Sequence, residues 1–423
     1  MADLLELNVS QQRLDSTHVF SHMAMFGRVN LMAVAIKRCL TQVKRHAPDD
    51  YAALPDELRV RYALSEGRLF ADAKDAAARA SSKQQVAEDT LLIIERFADR
   101  TEINGCTSLV KIFQQQCEVV EGRVVVLAKT GGDVIQNPSD LDATYDGHKG
   151  QGYQIQLSET CSTDNDVQLI VGAIPETASA NDSDAVRAML EQLAAHGLIP
   201  AEMPADAAYG SDENVLLAES FGVELIAPVP GRAPHVDPQA LTLDDFAHHE
   251  ETGAVEACPA SHAPLRVTRD EATHTTVVEI SATACASGPL LKLCPIHQTK
   301  DGRFELSFTD QARRLAARRV EQATPVFRER YAQRSGIEST NSGLKNRLGL
   351  GWLKVRGQGA VFRTLLLKVS GWNIQRAATS AKLRALVRNL IAQLLRNWLK
   401  ITSRFPVARL TASQRRARRR YEV

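Results

Sequence analysis

The chain has 423 residues, 44% apolar and 24% charged; this is too long for one compact core and ordinary for a globular protein, so two or three domains are expected. Seven scattered cysteines and no leading apolar segment argue against a disulfide framework and for a reducing, cytoplasmic setting. No stretch is long and uncharged enough to span a membrane, since even the apolar run 361–369 contains Arg363 and Lys368.

The net charge of +1 hides a polarity: residues 301–423 hold 27 Lys+Arg against 7 Asp+Glu, net +20, and residues 1–300 hold the other 24 against 43, net −19. Such asymmetry points to a polyanionic partner, nucleic acid, for the basic part.

In chain order, LELNVSQQRLDSTHVF predicts a strand ending near Asp15. The segment 28–48 has helical periodicity and stops at Pro48, and the chain from about 50 to 120 reads as helical throughout. VVVLAK from residue 124 predicts a strand, followed by the turn-rich GGDVIQNPSDLDA. GYQIQLSETC and VQLIVGAIPE predict two more strands. A helix follows over 183–197, with Ser183 as its cap and Gly197 as its stop. EMPADAAYGSDEN is a short strand that turns at Gly210, NVLLAESFG a helix, and VELIAPVPG a strand. Residues 232–300 interrupt this order with His, Cys, Pro and short β-like runs; basic helices then fill 309–347 and 357 onward. The expected class is α/β, a mixed sheet with helices packed on it. The expected units are a first strand (1–25), a helical insertion (26–121), a core (122–231), a Cys/His-containing β insertion (232–300), a last helix closing the core (301–380) and a basic helix and tail (381–423).

The most informative stretch is YAQRSGIESTNSGLK. It spaces Tyr331, Arg334, Glu338 and Lys345 as Y-x2-R-x3-E-x6-K, with Asn341 and Ser342 beside them. Steps of three, four and seven bring these side chains to one helical face. A lone carboxylate among cations suits a metal-bound, phosphate-handling site if carboxylates from other elements join it. Asp206, at a strand end before Tyr209 and Gly210, is one candidate; Asp15 in the first strand and Asp142 in the 131–143 turn compete for the other position. The common alternative for any single Asp is a turn former or a helix cap.

Four segments in this order resemble those of bacterial insertion-sequence transposases of the DDE superfamily: LDSTHV, DLDATYDGHKGQGYQIQLSET, ADAAYGSDEN, and RSGIESTNSGLKNRLGL with KVRGQGAVFRTLLLKVSGWNIQRA. The resemblance covers most of residues 10–380. It implies an RNase H-like core and the Tyr-Arg-Glu-Lys signature. It further implies that Asp15, Asp206 and Glu338 bind two Mg2+ or Mn2+ ions for strand cleavage and transfer. Tyr331, Arg334, Asn341, Lys345 and Arg356 would bind DNA. Transposon ends and target DNA are the implied partners, acting on a homodimer in the cytoplasm at the nucleoid. Such proteins carry a helical DNA-binding region before the first Asp. Only fourteen residues precede Asp15 here, so the expectation is a copy lacking that region.

Cys258, His262, Cys285 and Cys294 form the best four-ligand zinc set in the insertion, with irregular spacing; a knuckle held by packing alone is the competing reading. Arg404, Arg409, Arg415, Arg416, Arg418, Arg419 and Arg420 predict a flexible tail that adds salt-dependent DNA affinity. Three functional readings follow: a transposase, a metal-dependent nuclease without strand transfer, or a DNA-binding remnant that no longer cleaves.

Overall fold

The computed structural model describes residues 1–24, 26–62, 76–229, 239–249, 252–286 and 288–404, the last four by backbone only. A short helix α1 (Ala2–Leu5) leads into β1 (Gln12–Val19), which is buried along nearly all its length. The strand, expected to end near Asp15, runs on to Val19, so Asp15 stands in mid-strand. Its alternation explains this: Leu14 packs into one core and Val19 into another.

The expected helical segment follows as α2 (Arg28–His46), α3 (Pro48–Ala52), α4 (Asp56–Arg61), α5 (Ala76–Phe97) and α6 (Asn104–Gln116). Lys44, Arg45 and His46 fill the last turn of α2, where cations oppose the helix dipole, and Pro48 opens the next helix. Met32, Ile36, Cys39, Ile93, Leu109 and Ile112 give these helices a core of their own. VVVLAK forms part of a hairpin, β2 (Cys117–Val120) with β3 (Arg123–Val126), turning at Glu121 and Gly122.

The central sheet is built from β1, β4 (Thr144–Asp146), β5 (Gly150–Thr160) and β6 (Ile170–Thr177). Then come α7 (Ala185–Ala195), β7 (Glu202–Pro204), α8 (Asp212–Ser220) and β8 (Glu224–Ile226). β5 pairs antiparallel with β1 and β6. On the other edge of β1, parallel bridges Gln11–Glu202 and Leu14–Ala205 attach β7, which pairs in parallel with β8. The strands therefore lie side by side in the order β6-β5-β1-β7-β8. Ser183 does not cap α7: a 3-10 turn over Asp182–Asp184 precedes the helix, and the Ser183 hydroxyl donates to Asp184 instead. Gly197, at φ +66°, ends that segment as expected. Ser211 caps α8 by accepting from the Asn214 amide.

The Cys/His-containing part is a small β unit. β9 (Ala247–His248) pairs with β10 (Val255–Ala257). β11 (Arg266–Asp270), β12 (Thr275–Ile280), β13 (His297–Gln298) and β14 (Phe304–Thr309) form a second sheet, with α9 (Ala282–Ala286) beside it. The chain closes with α10 (Asp310–Gln322), α11 (Pro325–Ala332), α12 (Gly336–Arg347), α13 (Gln358–Ala377) and α14 (Ala381–Arg404). Of the basic tail, residues 405–423, with Arg409, Arg415, Arg416, Arg418, Arg419 and Arg420, lie outside the described residues.

Two helical layers sandwich the sheet. Val186, Met189, Leu193 and Tyr209 cover the face carrying Leu14. Ile337 and Leu344 of α12, with Leu365 and Trp372 of α13, cover the face carrying Val19, Tyr153, Ile155 and Leu157. Each such side chain stabilises by roughly 1.5–3 kcal/mol on burial, so α12 is held firmly over β1 and β5. Gly343 is required in this contact, because a Cβ there would run into the Trp372 ring.

Candidate active site

Asp15 sits on the β1 face that looks towards α12, since odd-numbered residues of the strand share Val19's side. Asp206 lies two residues beyond β7, and the Leu14–Ala205 bridge sets it beside Asp15. Glu338 is on the first turn of α12. Arg334 brings the three together. Its guanidinium reaches Asp15 Oδ1 at 3.4 Å, Asp206 Oδ2 at 3.7 Å and Glu338 Oε1 at 3.1 Å.

The stripe is not one helix. Tyr331 lies in the last turn of α11, Arg334 in a 3-10 turn over Gln333–Ser335, and Glu338, Asn341 and Lys345 follow on α12. Thr324 caps α11 and Pro325 opens it, fixing where this run begins. The tighter 3-10 turn keeps Arg334 and Glu338 in contact across the break. Asn341 donates from Nδ2 to Asp15 Oδ2 at 3.1 Å, while its own Oδ1 is buried with no hydrogen-bond partner among the described residues.

The electrostatics follow from this crowding. Burial pushes the Asp15 carboxyl up to about 6; Arg334 pulls against this, and Asp206 and Asp182 add to the rise. Burial works against the Arg334 charge, but Asp15, Tyr331, Asp206 and Glu338 outweigh it and hold the guanidinium ionised. Burial raises the Tyr331 phenol, and its ring stacks on Phe327. Burial and the neighbouring Lys149 lower Lys345, which Asp15 partly offsets.

Asp142 is elsewhere. Its Oδ2 accepts from the Gln358 amide at 2.9 Å, capping α13 across the fold. Arg356 is exposed in the loop before α13, which runs beside residues 20–22 through the bonds Phe20 N to Gly351 O and His22 N to Val355 O. Several residues at the site were not singled out from sequence. Lys149 reaches Ser16 Oγ and Asp182 Oδ2, both at 3.1 Å, and Tyr209 donates to Gln156 at 2.6 Å. Lys149 stands inside the hairpin segment DGHKGQG, which was the available signal.

The donor set around Asp15 is all oxygen: three carboxylates and the uncommitted Asn341 Oδ1. That chemistry fits a hard divalent cation, and the Arg334 guanidinium marks where positive charge is accommodated. Cys258, His262, Cys285 and Cys294 do line one small pocket, with Leu241, Ile280, Leu290 and Ile296. Burial raises the Cys285 and Cys294 thiols, with Cys258 beside both. Among the described residues, no three His, Cys, Asp or Glu side chains at either place stand close enough to share an ion. Around Asp15 the carboxylates are spread about Arg334.

No curated protein matches the chain. One solved structure aligned with it is a piggyBac transposase synaptic complex with hairpin DNA. The identity is 10%, the alignment covers 93% of this chain and 76% of that one, and the TM-score of 0.26 establishes no common fold. The family described as "Transposase DDE domain" matches residues 257–378, which include β11 to α13 and the whole Tyr331–Lys345 stretch. Over that segment, which is less than a third of its length, the chain is similar to the transposase DDE domain.

Proposed function

We propose that this protein is a bacterial insertion-sequence DNA transposase that cleaves and joins strands with divalent metal. The observation that carries the reading is the single Arg334 side chain shared by Asp15, Asp206 and Glu338. These three residues come from the first strand, the segment after β7, and α12. Asp15 is buried and Asp206 partly buried, and carboxylates drawn out of water beside one another need a cation between them. The strand order β6-β5-β1-β7-β8, with three antiparallel strands and two parallel ones, supports an RNase H-like core.

Asp15, Asp206 and Glu338 would hold the metal, Mg2+ or Mn2+, with Asn341 orienting Asp15 through its amide. Two bound ions would supply Lewis-acid activation of water or a 3′-hydroxyl and charge stabilisation of the phosphate. The protein's own part is positioning. Arg334 offers a forked guanidinium to a phosphate once its carboxylates have another counter-charge. Lys345, on the same side of α12, supplies a point charge, and Tyr331 a phenol donor. The Asp15 carboxyl would carry a proton in acidic, metal-free protein and must shed it to act as a ligand.

The test is cleavage of duplexes taken from the flanks of the coding sequence, with Mg2+ or Mn2+, for wild type, D15N, D206N and E338A. Cut and joined products from wild type alone support the reading. Cut products without joining favour a nuclease. Binding without cutting in both metals favours a remnant. Cleavage by E338A at the wild-type rate sinks the carboxylate assignment.

A further inference from the structure

Beneath the carboxylate cluster lies a second buried charged group. Glu159 is fully buried on β5, directly across from Arg13 in the β1 register. Arg13 grips one carboxylate oxygen twice: Nε donates to Glu159 Oε2 at 2.8 Å, and Nη2 stands 2.6 Å from the same atom. The remaining contacts go to the stretch around Glu338. Arg13 Nη1 donates to the Gln333 carbonyl at 3.1 Å, and the Thr340 hydroxyl donates to Glu159 Oε1 at 2.7 Å. Arg13 also lies flat against Gly336, where an added Cβ would collide with its guanidinium.

We infer that Arg13, Glu159 and Thr340, with Gly336, form a clamp that sets the distance between Asp15 and Glu338. This inference rests on the proposed metal site. The geometry is direct. Arg13 and Asp15 are two residues apart and share one face of β1. Residues 336 and 340 bracket Glu338 on α12, and Gln333 lies in the 3-10 turn just before it. One buried ion pair therefore ties the strand that carries one carboxylate to the turn that carries another. A well-packed apolar pair would give comparable stability, so a buried charge pair is best accounted for by the specific geometry it imposes. Packing of Ile337 and Leu344 holds α12 on the sheet, but apolar contacts tolerate sliding that hydrogen bonds to a fixed carboxylate do not. Arg13, Glu159 and Thr340 are positioning residues, which act through Asp15 and Glu338.

The test uses the full chain with T340V, which keeps the shape and removes the donor, and E159Q, which keeps the volume and removes the charge. Mn2+ uptake is followed by the loss of free-ion paramagnetic resonance signal, alongside thermal melts and the metal dependence of DNA cleavage. The expected result is a tenfold or larger rise in the Mn2+ concentration for half-saturation in both variants. Part of the cleavage rate should return at high Mn2+, and affinity for DNA in a chelator should be unchanged. Variants that melt earlier yet take up Mn2+ like wild type overturn the clamp, because a purely structural pair would move only the melt. D15N separates the two layers. If D15N takes up Mn2+ like wild type, the metal site fails and the clamp with it; if D15N loses uptake while T340V and E159Q keep it, the clamp alone fails.

Discussion

Two places in this molecule gather metal-type ligands, one from distant parts of the chain and one from within forty residues, and they are held in different ways. Around Asp15 three carboxylates face a guanidinium, and the neighbours are polar and hydrogen-bonded. Around Cys258 three thiols and an imidazole line a pocket walled by Leu241, Ile280 and Leu290. The chemistry explains the contrast. Neutral thiols behave as small apolar groups and can close a core by packing. Ionised carboxylates cannot, and need a counter-charge wherever water is excluded. The presence of that counter-charge, more than ligand spacing in sequence, separates the two places.

The sharpest way to break this comparison is Glu338→Ala. Losing one carboxylate from a metal-assisted phosphoryl transfer should lower DNA cleavage by about 10³-fold or more, several kcal/mol of barrier, with DNA affinity changed only a few-fold. Single-turnover cleavage and filter binding would measure the two effects. A comparable loss on C258S would erase the distinction between the regions.

Next in size is Arg334→Gln. Removing the only described cation in contact with all three carboxylates leaves the buried Asp15, and the more exposed Asp206 and Glu338, without their shared partner. It should cost the metal-free protein on the order of 3 kcal/mol, read in a denaturant titration. Added Mn2+ should recover most of that loss if the carboxylates accept a metal in the arginine's place. A variant as stable as wild type in chelator would show that the guanidinium is not compensating the cluster.

A third test uses pH. Asp15 has a folded pKa of about 6, above its ordinary value of 3.8, so the folded state holds this proton more tightly than the unfolded state. Stability from this group is therefore complete below about pH 4, falls as pH rises to 6, and stays lost above it. The loss is on the order of 3 kcal/mol. D15N, which cannot ionise, should be more stable than wild type at pH 7.5 in chelator, and the advantage should vanish near pH 4. Melting curves at the two pH values check this; an advantage that does not change with pH would mean Asp15 is not held in the unfavourable ionised form.

The smallest expected effect is at the other region. Cys285→Ala should cost about 1 kcal/mol, as loss of a partly buried small side chain does, and a strong chelator should not change the wild-type melt. A chelator-induced drop of many degrees would instead make the thiols metal ligands.

Much of this architecture could be read in the residues. The alternation in GYQIQLSETC marks β5, and the spacing from Tyr331 to Lys345 brings its cations to one place. Other parts could not be read, for physical reasons. The polar face of β5 suggests solvent, yet Gln154, Gln156 and Ser158 are buried, because Glu176, Asp182, Tyr209 and Gln12 satisfy them from other elements. Asp15 and Asp142 look alike locally, and only the pairing of β1 with β7 shows which one stands beside Asp206. Glu159 shares the face of Tyr153, Ile155 and Leu157, but nothing local reveals that Arg13 and Thr340 will meet it there. The 3-10 break at Gln333–Ser335 is invisible to a periodicity count, which accepts either helix type over so few residues.

The shared arginine also sets an order of events during synthesis. Asp15 leaves the ribosome well before Asp206, and Arg334, Glu338 and the covering Trp372 follow more than a hundred residues after that. Until then Asp15 lacks Arg334 and Asn341, while Arg13 has Glu159 but not the Gln333 carbonyl, and Glu159 lacks the Thr340 hydroxyl. The nascent chain must keep β1 accessible for more than three hundred residues, which makes this a late-closing, high-contact-order site. A ribosome stalled before residue 334 would therefore display Asp15 and Asp206 side by side, with neither the arginine they share nor the helix that carries Glu338.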